Sequence, residues 1–303
     1  MAADGQLLLM EISQLEAFVA VVEERSFSRA AAKLLRTQPA ISQAVRRLED
    51  WAGEPLFDRS SKSGVLTQAG QLLYDYGKKV LNLRLEAQSA VKELRALARG
   101  KVTLGANEST ALYLLPALKA FRERYPGVKV AVKRSLSRDI PSALLRYEID
   151  LGVLSFNPHN RDLESTVVSL DELCMIVPPG HRLARAREVS VRDLGKESFI
   201  AHSIPSPYRQ SVIETFARLR TPLNIDVELP TVETIKKFAS MGMGVAFAPR
   251  MCVEEELARG EFLTVRIKEL KIQRKLRLIY RRDAPLSAAA QGFLDVAKEL
   301  AQR

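Results

Sequence analysis

Histidine and cysteine are scarce in this chain of 303 residues, and long apolar runs are missing altogether. The three histidines, His159, His181 and His202, stand far apart, and no two have the spacing of a metal-binding pair. Cys174 and Cys252 are also distant, with no Cys-x-x-Cys and no ligand cluster, so no disulfide framework and no metal site are expected. Both read as small buried hydrophobes in a reducing compartment. No stretch of 18 apolar residues occurs, which excludes a membrane-spanning helix from the expectation. The opening MAADGQLLLMEIS lacks a basic region and its LLLM is too short for a signal peptide, so a cytoplasmic location is expected. There is no phosphate-cradling Walker sequence and no nucleophile elbow. The GMG at 242–244 lacks the third glycine of a dinucleotide fingerprint and leads from a helix into a strand, as a helix stop does. No cofactor, metal or catalytic constellation is therefore assigned, and the chain is not read as an enzyme.

What is present is ordinary in bulk and informative in place. The chain is 47% hydrophobic and 27% charged, long enough for two or three domains with their own cores. A net charge of +10 favours an acidic partner such as nucleic acid. Residues 1–100 hold 14 Lys/Arg against 12 Asp/Glu, so the global excess does not itself mark the N-terminal part. Residues 25–47, however, contain Arg25, Arg29, Lys33, Arg36, Arg46 and Arg47 and no acid.

Three helices are predicted in the first 50 residues. ISQLEAFVAVVEE (12–24) places Leu15, Phe18, Val19 and Val22 on one face. SRAAAKLL (28–35) is short, and its alanines permit close approach by a neighbour. The third follows the short turn RTQ (36–38), with Thr37 as N-cap and Pro39 in the first turn. Its Ile41, Ala44, Val45 and Leu48 share an apolar arc. Gln38, Ser42 and Arg46 line up on another arc, widened by Pro39, Gln43, Arg47 and Asp50. A solvated surface helix is the ordinary explanation of one amphipathic helix, but such faces usually carry Glu/Lys pairs. Two short helices joined by a tight turn form a helix-turn-helix, whose second helix reads base edges in the major groove. Leu56–Asp58 and Val65–Leu66 then frame a Ser/Lys/Gly turn carrying Arg59 and Lys62. This reads as a wing that meets phosphates, or else as a surface hairpin with two incidental cations.

The segment SFSRAAAKLLRTQPAISQAVRRLEDWAGEPLFDRSSKSGVLTQAG resembles the signature of LysR-type transcriptional regulators. The matching positions are Ser26-Phe27 with Ala30-Ala31, Gln38-Pro39 with Ser42, Leu48-Glu49, Leu56-Phe57 with Arg59, and Leu66-Thr67 with Gly70. One departure is Gln43, where the family often has Arg. The resemblance implies an all-α winged helix-turn-helix, a dimerising linker helix and a ligand-sensing α/β domain of two subdomains like a periplasmic binding protein. Along residues 67–98, apolar positions recur from Leu72, Leu73 and Tyr76 to Leu94 and Leu97 at helical spacing for about eight turns. A second copy of the chain would cover that stripe, and so would an intrachain neighbour; the resemblance favours the second copy.

From residue 101 strands and helices alternate, predicting an α/β domain with largely parallel strands. Ligands of such folds sit beyond the carboxyl ends of strands, beside helix N-termini. Four turns fit: Asn107, Ser109 and Thr110; Ser135 and Ser137; His202, Ser203 and Ser206; and Thr231. Plain helix capping would also explain a Ser or Thr there. By resemblance Ser109, Ser137, Ser203 and Thr231 occupy effector-site positions, and together the turns suggest a cleft for a small polar or anionic effector. Glu108 would repel a carboxylate if it pointed inward. The basic stretch 265–282, with eight Lys/Arg and one Glu, reads as the exposed face of a strand hairpin, or as a further contact to DNA or RNA polymerase.

The expected organisation is a DNA-binding domain over 1–66, a linker helix over 67–99 and an effector-binding domain over 100–303. Subdomain I takes about 100–167 and 268–303 and subdomain II about 168–267, with crossings near Val167–Val168 and Val265–Lys268. The expected partners are double-stranded DNA, contacted by Arg29, Gln38, Pro39, Ser42, Gln43, Arg46, Arg59 and Lys62, the small effector, and further copies in a homodimer or homotetramer. Two other classes stay open on residues alone: an architectural DNA binder, and a solute-binding or catalytic α/β protein with an N-terminal oligomerisation arm.

Overall fold

The computed structural model describes residues 9–58, 65–94 and 100–302. The chain divides into two compact units, Met1–Leu97 with Leu145–Glu148, and Ala98–Leu144 with Ile149–Arg303.

In the first unit, helices α1 (Ile12–Glu24), α2 (Phe27–Lys33) and α3 (Gln38–Ala52) precede the long α4 (Gln68–Leu94). α1 ends where Arg25 turns left-handed at φ 49°, and Ser26 caps α2 by accepting from Arg29 N. Thr37 precedes α3 in extended backbone, and Gly53, at φ 68°, closes it. Leu15, Phe18, Ala30, Ile41, Val45, Leu48 and Leu56 form one core. The family motif residues have physical tasks here. A Glu49 carboxylate oxygen accepts from Leu56 N at 2.8 Å, tying α3 to the strand that enters the wing. Phe57 and Leu66 bridge antiparallel, and Asp58 N donates to Val65 O at 2.8 Å, so the two predicted wing strands are paired. Thr67 donates to Pro55 O and accepts from Gly70 N. Gly70 has no room for a side chain, since a Cβ there would lie 2.0 Å from Leu56 O.

The second unit holds β1 (Lys101–Ala106), α5 (Glu108–Arg124), β2 (Lys129–Arg134), α6 (Ile140–Leu145), β3 (Leu151–Leu154) and the long β4 (Leu163–Val177). It continues with β5 (Glu188–Val189), β6 (Ser198–His202), α7 (Pro207–Arg218), β7 (Asn224–Leu229), α8 (Val232–Ser240) and β8 (Val245–Pro249). It ends with α9 (Glu254–Ala258), β9 (Leu263–Ile267), β10 (Ile272–Arg281) and α10 (Ala288–Ala301). The strand order β2-β1-β3-β10-β4-β8-β6-β7 is that of two α/β subdomains joined by two crossing strands. Within each half the pairs β1–β2, β1–β3, β6–β7 and β6–β8 are parallel. The crossing strands β4 and β10 pair antiparallel to each other, and β10 is antiparallel to β3.

One expected boundary moves. Residues 265–267 do not leave the second subdomain: β9 pairs with Met175–Val177 of β4 and with β5, and Val265 and Ile267 lie in that subdomain's core. The chain returns along β10 instead, whose Leu276 faces Ser169 of β4 before its register shifts. An alternating strand reads the same in sequence whether it stays in a subdomain or leaves it. The GMG glycines behave as expected of a helix stop: α8 ends at Ser240, and Gly242 and Gly244 take φ 79° and 149°.

Candidate nucleic-acid interface and ligand cavity

On α3 the apolar arc is buried and the polar arc is not. Gln38, Pro39, Gln43, Arg46 and Arg47 are exposed and Ser42 is half-exposed. Gln38 Nε2 donates to Ser42 Oγ at 3.0 Å, so two candidate base-reading groups hold each other in place one turn apart. Arg46 and Arg47 have neither ion pair nor hydrogen bond among the described residues. Arg29 is exposed on α2, but its guanidinium is anchored to the carbonyl of Glu24, with Nε donating at 3.0 Å. Arg59 and Lys62 lie outside the described residues. Lys33 pairs with Glu23 and Glu24, and Lys78 of α4 also reaches Glu23. Those two cations therefore hold the unit together, in contrast with the two free arginines of α3.

In the second unit a cavity of about 380 Å³ is lined from both subdomains. Of the residues expected at the four ligand turns, Asn107, Ser109, Ser135, Ser137, His202 and Ser206 line it. Asn107 caps α5 through Oδ1, which accepts from Thr110 N at 2.8 Å, while its Nδ2 donates to Ser137 Oγ at 2.8 Å. The loops after β1 and β2 are thereby linked at the cavity wall. Thr110 is the other half of this cap and has no exposed surface, so its hydroxyl cannot meet a ligand. Thr231 caps α8, and its hydroxyl is engaged with Thr234. Ser203 is exposed beside the cavity rather than in its wall. For Thr110 and Thr231, capping is the task the structure gives them. Glu108 does line the cavity.

Sequence reasoning missed the cations of this wall. Arg134, Arg138, Arg209 and Arg274 all line it, against the single carboxylate of Glu108. The N-termini of α5 and α7 add positive ends of helix dipoles. Arg274 belongs to the stretch expected to be an exposed hairpin face. Arg266, Lys268, Lys271, Lys275 and Arg282 are indeed exposed, but Arg274 and Arg281 are buried. The signal was the period of two: Arg274 shares its phase along β10 with buried Leu276 and Leu278. His202 is half-buried; burial lowers its pKa below 6.5, with Arg209 acting the same way and Glu108 opposing both. His202 Nδ1 accepts from Ile204 N at 3.1 Å, which places the imidazole. His181 lies between Glu197 and Leu183 N and holds a turn. The cysteine thiols are pushed up by burial, Cys174 to about 12 and Cys252 to about 11.

The model for the bacterial regulatory helix-turn-helix protein of the lysR family matches residues 12–71, and that for the LysR substrate binding domain matches residues 95–302. The chain belongs to the LysR family. It is a LysR-type transcription regulator with an effector-binding domain. It is 33% identical to a probable RuBisCO transcriptional regulator of Gracilaria tenuistipitata var. liui, over 93% of this chain and 94% of that one. It is 29% identical to the RuBisCO operon transcriptional regulator of Allochromatium vinosum, over 97% of each. The LysR family regulator CbnR shares the fold, with a TM-score of 0.72 at 19% identity over 97% of this chain and all of that one. The regulatory domain of Synechocystis PCC6803 CcmR, solved in complex with 2-PG, is 26% identical with a TM-score of 0.62, over 67% of this chain and 98% of that one.

Proposed function

We propose that this regulator reads a DNA sequence through α3 and changes its hold on that DNA when a small anion enters the cavity of the second unit. The observation that carries the reading is the contrast on α3, where Ile41, Val45 and Leu48 are buried while Arg46 and Arg47 stand exposed with no partner among the described residues. Gln38, Pro39, Ser42, Gln43 and Arg46 face the base edges, and Arg29, Arg59 and Lys62 meet phosphates. The working domains are 1–66, 67–99 and 100–303, and the chain acts in the cytoplasm as a regulator without catalysis. Copies associate along α4, where Leu72, Tyr76, Val80 and Leu83 leave an apolar stripe exposed at helical spacing. The effector is a small anion, because four arginines and two helix N-termini face the cavity against the one wall carboxylate of Glu108, with Arg274 and Arg209 held from behind by Asp171 and Glu228. CcmR's ligand makes 2-PG the first compound to try, and the RuBisCO regulators among the relatives make carbon-fixation genes the first targets.

The test is selection of bound duplexes from a randomised pool, followed by footprinting with and without 2-PG. An enriched inverted repeat whose footprint changes with ligand supports the reading. Binding without enrichment that vanishes as salt rises would leave only electrostatic attraction and overturn it.

A further inference from the structure

Two strands cross between the subdomains, and at one register position they carry opposite charges. Arg274 of β10 faces Asp171 of β4, and Arg274 Nη1 donates to Asp171 Oδ2. Both side chains are only 5% exposed. Asp171 Oδ1 also accepts from Met251 N at 3.2 Å, so the carboxylate is fixed from the second subdomain. The Arg274 guanidinium lies over the ring of Tyr208, 5.2 Å from its centroid, and the Tyr208 hydroxyl donates to Ser155 O at the end of β3. The cation is thus held on one side by a carboxylate and on another by an aromatic ring. Its Nε is nevertheless buried and has no hydrogen-bond partner among the described residues, and the side chain lines the cavity.

A buried ion pair contributes little net stability, because desolvation of both charges offsets their attraction. A buried N–H left unpaired is a further cost. A guanidinium offers more than one edge that matches a carboxylate or phosphate, and Asp171 meets Nη1 alone. We propose that Arg274 is the charge-reading residue of the effector cavity: an anionic group of the effector accepts from Nη2, the terminal guanidinium nitrogen that Asp171 does not meet. This rests on the cavity being the effector site and names the residue that selects its ligand. Because Arg274 and Asp171 sit on the two crossing strands, bound charge acts directly on the segments that join the subdomains. Tyr208 links the same cation to Ser155, so the response reaches both halves.

The test is calorimetric titration of the full-length protein with 2-PG and, separately, inorganic phosphate. Losing Arg274 alone would strand the Asp171 carboxylate, so the informative variant is the neutral pair Arg274→Gln/Asp171→Asn, with its folding checked by an unchanged urea midpoint. The expected result is a loss of affinity of about 10- to 100-fold, the scale of a lost charge-assisted hydrogen bond, with part of it recovered in Arg274→Lys. Ala201→Trp, which fills the cavity wall, reports on the broader reading. If Ala201→Trp abolishes binding and the neutral pair does not, the cavity is the site and the role of Arg274 is overturned. If neither variant changes binding, the ligand sits elsewhere and both readings fall. If neither probe binds the wild-type protein, a charge-reading Arg274 is overturned, and the cavity is left to uncharged ligands.

Discussion

The two units use the same residue in opposite ways. On α3, Arg46 and Arg47 are exposed and have no partner among the described residues. In the second unit Arg274 and Arg281 are buried, the first against Asp171 and the second donating to the carbonyls of Leu144 and Ile149. An exposed arginine costs the fold little and is available to any phosphate or base edge that comes within reach. A buried one must be held by partners before it can serve a ligand, and its selectivity comes from whichever donors those partners leave over. The first arrangement suits a long polyanion that supplies many contacts. The second suits a small anion that must be chosen from others.

The largest effect expected from breaking that contrast is at Asp171. Asp171→Ala strands the Arg274 charge in the interior and should destabilise the second unit by about 3–5 kcal/mol, read from urea unfolding. If the variant unfolds at the wild-type midpoint, water reaches the pair and the burial argument is wrong. Gly70→Ala should follow, because its Cβ would collide with the Leu56 carbonyl and must displace backbone. The expected loss is about 1–3 kcal/mol, confined to the first unit. Arg46→Ala should do the reverse of Asp171→Ala. Its effect on stability stays within about 0.5 kcal/mol, while binding to the selected DNA weakens by about 1–3 kcal/mol. Loss of stability without loss of sequence preference would make Arg46 a structural residue and remove the contrast.

The sequence was most legible where local pattern and structure coincide. α1 is found over the residues its apolar spacing predicts, and the motif residues Glu49, Thr67 and Gly70 prove to be the ties among α3, the wing strands and α4. The candidate DNA-reading face could be read from one helix because it depends on a single period. The cavity could not. It is assembled from residues as far apart as Asn107 and Arg274, and their meeting depends on which strand crosses back. Of the short polar residues that flagged the four turns, Asn107, Ser206 and Thr231 cap helices, and Asn107 and Ser206 also line the cavity, as Ser109, Ser135 and Ser137 do. Arg274 was hidden differently, in a run of eight cations that looks like solvent-facing charge until its phase with Leu276 and Leu278 is counted.

The smallest expected effect separates the units by pH. All three histidines lie in the second unit and none in the first. Burial, assisted by Arg209 and opposed by Glu108, holds the pKa of His202 below its ordinary 6.5. As pH falls through 6.5, the unfolded chain takes up a proton at this residue while the folded one stays neutral. The stability linked to His202 is therefore complete above 6.5 and declines as pH drops from 6.5 towards the folded pKa, below which it levels off. His202→Gln should flatten that part of the second unit's profile and leave the first unit's unchanged. A bound anion in the cavity would favour the protonated imidazole and raise this pKa, so 2-PG should bind more tightly at pH 6 than at pH 7.5. Proton NMR of the three imidazoles gives the direct check. A His202 that titrates at or above 6.5 in the free protein would show that solvent reaches it, and with it the cationic wall on which anion selectivity depends.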